Sequence, residues 1–158
     1  LGDAMNLASF LGQVWIADII FTRCPGPCTD MTKRMRELEE ALPKNAPLSL
    51  VTLTTDPEFD TPAVLRAYAE RVGAQTNRWR FLTGTKQEIA KLAVDGMKLT
   101  AIDKQSEERT NAFDLFIHST IFVLIDKQGR VRSTIDTQEP GWRQKTLEEA
   151  KQLLEEKN

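Results

Sequence analysis

The sequence predicts an α/β domain, a central mixed β-sheet flanked by helices. Three observations carry that expectation. Apolar runs of strand length, rich in β-branched and aromatic residues, alternate with segments whose apolar residues recur at spacings of three and four. Near the C-terminus, two strand-like runs are separated only by Asp126-Lys127-Gln128-Gly129, which reads as an antiparallel hairpin rather than a helix-linked parallel pair. The chain of 158 residues has the length of one domain, and no repeat, low-complexity tract or linker divides it. Residues 1–158 are therefore expected to fold as a single unit.

Taken in order, Val14 to Thr22 is a largely apolar strand of the kind buried on both faces, and it ends where Cys24-Pro25-Gly26-Pro27-Cys28 begins. After Pro27, Cys28, Met31, Met35, Leu38 and Leu42 mark one face of a helix ending near Pro43, and that spacing assigns Met31 and Met35 to the core rather than to a ligand set. Leu48 to Thr55 forms a second strand, stopped by Asp56-Pro57. Thr61 suits an N-cap and Pro62 a first helical position, opening a helix that Gly73 closes, with Val64, Leu65, Tyr68, Ala69 and Val72 on its apolar face.

Thr85-Lys86-Gln87-Glu88 has the spacing of a capping box, and Ile89, Leu92 and Ala93 continue a short helix ending at Gly96. Thr100 to Asp114 is polar and irregular, an excursion or loop. Ser119 to Ile125 and Arg130 to Ile135 are the hairpin strands. From about Gln144 to Glu156, Leu147, Ala150 and Leu154 mark a last helix, with Thr146-Leu147-Glu148-Glu149 as another candidate capping box. Trp15, Trp79 and Trp142 read as packing residues and Lys33-Arg34-Arg36 as a solvated helix face. The order strand, helix, strand, helix, helix, hairpin, helix is the skeleton of a thioredoxin-like sandwich.

Composition narrows the function. With 21 basic against 23 acidic side chains, the chain lacks the clustered positive excess that phosphate neutralisation requires, so no nucleic-acid partner is expected. No apolar run reaches the ~18 residues of a membrane span. Two cysteines four apart would close only a tiny loop, so the pair reads as chemical rather than architectural.

Connectivity gives that pair company. Strands joined by a helix run parallel, so Thr22-Arg23-Cys24 and Thr55-Asp56 leave the sheet at one carboxyl edge. A strand beginning at Ser119 and running antiparallel to them would start at the same edge, bringing His118 towards the cysteines. Pro25 and Pro27 stiffen the loop, Gly26 lets it bend, and Cys28 falls at the start of a helix whose unpaired amides favour a thiolate. Two thiolates and an imidazole suit copper, as Cu(I) or Cu(II). Structural zinc would want a fourth protein ligand, for which Asp56 is the one candidate. Dithiol exchange, with Cys24 attacking and Cys28 resolving, and redox sensing remain open alternatives that need only the cysteines.

The segments Ile20-Phe21-Thr22-Arg23-Cys24-Pro25-Gly26-Pro27-Cys28, Asp56-Pro57-Glu58-Phe59-Asp60-Thr61-Pro62, Phe81-Leu82-Thr83-Gly84 and His118-Ser119, in this order, resemble the Sco/SenC family of thioredoxin-fold copper proteins. The resemblance implies copper ligation by Cys24, Cys28 and His118; Asp56, at the same sheet edge, is expected to stand behind the ligands. It further implies a metallochaperone rather than a conventional enzyme, delivering copper to the CuA-bearing subunit of cytochrome c oxidase or reducing that centre's cysteines. The expected setting is extracytoplasmic, on the periplasmic side of a bacterial membrane, with an N-terminal anchor preceding these residues. Two departures stand out: Thr29 occupies a position where the family commonly has Pro, and Phe59 one where Arg is common. Both bear on partner recognition, not on the ligands.

Overall fold

The computed structural model describes residue 5 and residues 7–23, 27–75, 77–91 and 120–157. A short 3-10 turn, Leu7–Phe10, precedes strand β1, Val14–Ile20, and helix α1, Pro27–Ala41. Then come β2 (Leu48–Thr54), α2 (Pro62–Val72), β3 (Trp79–Leu82), α3 (Lys86–Lys91), β4 (Ile121–Ile125), β5 (Val131–Asp136) and α4 (Trp142–Glu155). The strands form one five-stranded sheet in the order β3-β2-β1-β4-β5. β1 pairs in parallel with β2 and β2 with β3, while β4 is antiparallel to both β1 and β5. This is the mixed sheet with flanking helices that the sequence predicts.

Burial follows position in the sheet. All seven residues of β1 and all seven of β2 are buried, as central strands covered on both faces require. One face carries Val14, Ile16 and Ile20 against Met31, Met35 and Leu38 of α1 and Ala150 and Leu153 of α4. The other carries Trp15, Ala17 and Ile19 against Phe10, Ile89 and Val123. Met31 and Met35 are fully enclosed, which confirms them as core residues.

The caps of α2 are those the sequence announces. Thr61 Oγ1 accepts from the N–H of Val64, Pro62 opens the helix, and Gly73 ends it at φ 75°, a left-handed conformation that a side chain would strain. The capping box of α3 also forms, Thr85 N–H donating to Glu88 Oε2 and Glu88 N–H to Thr85 Oγ1. Its predicted end at Gly96 and the irregular stretch from Thr100 lie outside the described residues.

Three expectations are corrected. The sequence reading has no strand at Trp79–Leu82, yet these four residues pair with β2 as the sheet's edge. Thr146 does not cap a helix: α4 begins four residues earlier, and Thr146 Oγ1 donates to the carbonyl of Trp142 inside it. The Lys33-Arg34-Arg36 face is only partly solvated. Arg34 Nη1 donates to Thr137 Oγ1 at 3.2 Å, and Arg36 bridges Glu39 and Glu40.

Candidate metal centre

The described residues that flank the predicted site residues, Thr22 and Arg23, the start of α1 and Thr120, gather at the carboxyl edge of β1 and β2. β1 ends at Ile20, and the chain beyond it is fastened by the loop after β2. Thr22 donates its N–H to Asp60 Oδ2 at 3.0 Å and its hydroxyl to Asp60 Oδ1, while Thr54 Oγ1 donates to Asp60 Oδ2 at 2.6 Å. Asp60 is fully buried and is itself held by its N–H donating to the carbonyl of Asp56 at 2.8 Å. One residue on, Arg23 donates Nε and Nη2 to Asp56 Oδ2 at 3.1 and 2.7 Å, and its guanidinium lies 4.2 Å over the ring of Phe59. The last two residues before Cys24 are thus gripped by Asp60 and Asp56.

On the other side of the cysteine loop, Pro27 opens α1 and Cys28 is its second residue, as predicted. Met31, one turn on, has its sulfur 3.3 Å from Thr137 Oγ1. Thr137 uses both its N–H and its hydroxyl on the carbonyl of Thr120, at 2.9 and 2.6 Å. Thr120 leads into β4, whose antiparallel register, Ala17 opposite Val123 and Trp15 opposite Ile125, starts that strand at the edge where β1 ends. The first turns of α1 and the entry to β4 are therefore tied together through Thr137.

Cys24, His118 and Ser119 lie outside the described residues, as does the side chain of Cys28. Among the described residues, no group of three His, Cys, Asp or Glu side chains is placed to hold a metal ion. Asp56 is half-buried and engaged with Arg23, a geometry that suits a positioning residue rather than a ligand.

Two acidic residues near this edge were not singled out from sequence. Asp60 stood only inside a longer matching segment, and its signal was a carboxylate six residues beyond the end of β2. Asp18 is an acid within an otherwise apolar, double-covered strand. It is 1% exposed, Thr52 Oγ1 donates to its Oδ1 at 2.6 Å, and its Oδ2 has no hydrogen-bond partner among the described residues. Burial pushes this carboxyl up to about 7, against the lowering effect of the Thr52 hydroxyl.

Comparison with known proteins bears on the whole arrangement. The family model described as SCO1/SenC matches residues 1–155. The chain belongs to the SCO1/SenC family. The SCO1 protein homolog of Bacillus subtilis (strain 168) is 36% identical over 132 residues, covering 82% of this chain and 65% of the homolog. The chain spans just under two thirds of the length of such curated relatives. The structure of BsSco, described as a member of the Sco family of cytochrome c oxidase assembly proteins with a disulfide switch, superposes with a TM-score of 0.79 at 31% identity, covering 99% of this chain and 88% of that one. Bradyrhizobium japonicum ScoI, solved with copper bound, shares the fold at a TM-score of 0.70 and 21% identity, covering 96% of this chain and 92% of that one. These Sco structures bear out the thioredoxin-like fold.

Proposed function

We propose that this chain is a copper-binding metallochaperone whose cargo ion is held by Cys24, Cys28 and His118. The observation that carries the reading is the meeting of three chain segments at one sheet edge: Thr22-Arg23 before Cys24, the first turn of α1 at Cys28, and Thr120, which follows His118 by two residues. Two thiolates and an imidazole are a donor set that accepts Cu(I) through sulfur and Cu(II) with the help of nitrogen. The start of α1 favours the ionised form of a thiol at position 28, lowering the cost of proton loss on metal binding. Asp56 acts from behind the ligands, fixing Arg23 and hence the run into Cys24. Family membership supports the acceptor, the CuA-bearing subunit of cytochrome c oxidase, and an extracytoplasmic, membrane-anchored setting for the whole protein.

Copper titration of the reduced protein, followed by absorption and EPR, tests this. A thiolate-to-Cu(II) charge-transfer band is expected, and it should vanish in Cys24→Ser and in His118→Ala. Copper binding that survives His118→Ala unchanged would sink the three-ligand site.

A second reading is thiol-disulfide exchange by the same cysteines, with Cys24 attacking and Cys28 resolving. The disulfide switch described for BsSco favours it. Turnover of a disulfide substrate without copper, retained in His118→Ala, would select it, because exchange needs no imidazole.

A further inference from the structure

Arg34 and Thr137 do something that neither the helix pattern nor the proposed ligand set calls for. Arg34 lies on the face of α1 expected to be solvated, yet its Nη1 donates to Thr137 Oγ1 at 3.2 Å and passes 4.0 Å from the sulfur of Met31. Among the described residues it forms no ion pair. Thr137 is buried, and its hydroxyl donates to the carbonyl of Thr120 at 2.6 Å, the same oxygen that its N–H reaches at 2.9 Å. The hydroxyl is therefore saturated, donating to β4's entry and accepting from α1.

This bridge joins two segments that lead to predicted ligands. Met31, whose sulfur lies 3.3 Å from the Thr137 hydroxyl, follows Cys28 by three residues of helix, a rise of about 4.5 Å. Thr120 follows His118 by two residues, a span of at most about 7 Å. β4 and β5 pair from Ile121 opposite Asp136, and the bonds of Thr137 to Thr120 carry that ladder one residue further towards His118. Thr120 is held once more by its own hydroxyl, which donates to Asp136 Oδ1 at 3.1 Å. The entry to β4 is thus fixed against α1 through one side chain, and Arg34 is the arm that α1 contributes.

The backbone bond alone would keep Thr120 beside β5. The hydroxyl adds what a ladder cannot, a link from the sheet to the helix. Valine would fill nearly the same volume at position 137 but would leave Arg34 Nη1 and one lone pair of the Thr120 carbonyl without their partner. Donor preference says what such a link governs. Two thiolates satisfy Cu(I), whereas Cu(II) draws on nitrogen as well. Whatever fixes the His118 segment relative to the helix of Cys28 therefore bears on Cu(II) far more than on Cu(I).

We propose that Arg34 and Thr137 are positioning residues that hold the entry to β4, and with it the His118 segment, against the helix that carries Cys28, and that this hold sets the chain's preference for Cu(II) over Cu(I). The inference rests on the reading of Cys24, Cys28 and His118 as the ligands. Neither positioning residue touches the ion. The bridge moves no proton and no electron; it restricts the entry to β4 before the ion arrives, so that less ordering remains to oppose binding.

The test compares the native chain with Thr137→Val, Thr137→Ser and Arg34→Met. Cu(II) and Cu(I) dissociation constants are measured separately, against glycine and bicinchoninate as competing chelators, and hydrogen exchange of the copper-free proteins is followed by peptide mass spectrometry. Thr137→Val should weaken Cu(II) about tenfold, the equivalent of one net hydrogen bond, and leave Cu(I) unchanged. The peptide covering residues 118–122 should exchange faster while those of β1 and β2 keep native rates, which shows the fold intact. Thr137→Ser keeps the hydroxyl and should restore both. Arg34→Met should weaken Cu(II) in the same direction by less. If Arg34 acted only as a cation, its loss would instead weaken Cu(I) more, because Cu(I) with two thiolates carries a net negative charge and Cu(II) with two thiolates carries none. A Cu(II) constant that stays native in Thr137→Val, or an equal loss of both ions, would overturn the proposal. His118→Ala, run alongside, separates this from the site reading. Cu(II) weakened there but native in Thr137→Val refutes the bridge alone, whereas Cu(II) unchanged in His118→Ala refutes the three-ligand site and the preference with it.

Discussion

Asp18 and Asp126 are the same residue type and equally hidden from solvent, each 1% exposed, yet the fold treats them in opposite ways. Asp126 sits at the hairpin turn. Its Oδ1 accepts from the N–H groups of Gln128 and Arg130, each at 2.9 Å, and its Oδ2 from Arg130 Nε at 2.9 Å and Arg132 Nη1 at 3.2 Å. Burial alone would raise its titration, but these four donors outweigh burial and hold the carboxyl below its usual range. Among the described residues Asp18 has the Thr52 hydroxyl and its own backbone as donors and no cation, so burial wins and its carboxyl rises to about 7. Solvent exposure alone does not decide the charge of an interior carboxylate; how closely the protein encloses it and how many donors reach it decide together. One site is a structural anchor that stays charged, and the other is a group poised to change.

The largest effect that would break this contrast is Asp126→Ala. It removes the acceptor of two turn amides and one partner each of the solvent-accessible Arg130 and Arg132 guanidinium groups, and should lower unfolding free energy by about 3 kcal/mol in urea denaturation. Because the folded carboxyl titrates below its unfolded value, the stability it contributes is present above about pH 4 and is lost as pH falls through the folded value. The acid limb of the stability curve should therefore flatten in the variant.

Asp18→Asn should act in the opposite direction. The folded carboxyl titrates near 7 against an unfolded value near 4, so its penalty is absent below about pH 4, grows across the window between the two and is complete above about pH 7. Replacing it should stabilise the fold at mildly alkaline pH by about 3 kcal/mol, the charge-burial cost less that of a buried amide. A native stability curve that is flat between pH 4 and 7 would refute the assignment.

Thr52→Val removes the donor to Asp18 and the acceptor of the Trp79 indole together, and should cost about 2 kcal/mol, with the near-neutral step displaced upward. The smallest effect belongs to the exposed end of the Asp126 network. Glu156→Gln, at the pair that Arg132 forms with Glu156, should change stability little and more weakly still at high salt, because solvent screens it.

Much of the architecture was legible because local rules and global fold agree. The double-covered run from Val14, the methionine and leucine spacing of α1 and the Thr61-Pro62 to Gly73 caps of α2 each state one structure and have no competitor. β3 was hidden because it is only four residues long and places exposed Arg80 between Trp79 and Phe81, so neither its length nor its composition stands out. The beginning of α4 was hidden for a different reason. Its N-cap is Gly141, at φ 80° and with no side chain to offer, while a Thr-x-x-Glu pattern inside the helix imitates a start. At the candidate site, motif spacing located the cysteines and the turn after β2. It could not reveal that Asp60 and Asp56 grip the residues ahead of Cys24, because those hydrogen bonds join segments more than thirty positions apart.

The placement of β3 and β5 on the two outer positions of the sheet has a consequence for how this chain behaves in a crowd. The long apolar strands, β1 and β2, are interior to the sheet, and among the described residues what remains at the rims is four residues bearing Arg80 and six bearing Arg132. A neighbouring chain seeking to add a strand would meet a short template and a guanidinium on either side. The sheet therefore carries its own protection against polymerisation, and its most aggregation-prone sequence becomes accessible only if the fold opens.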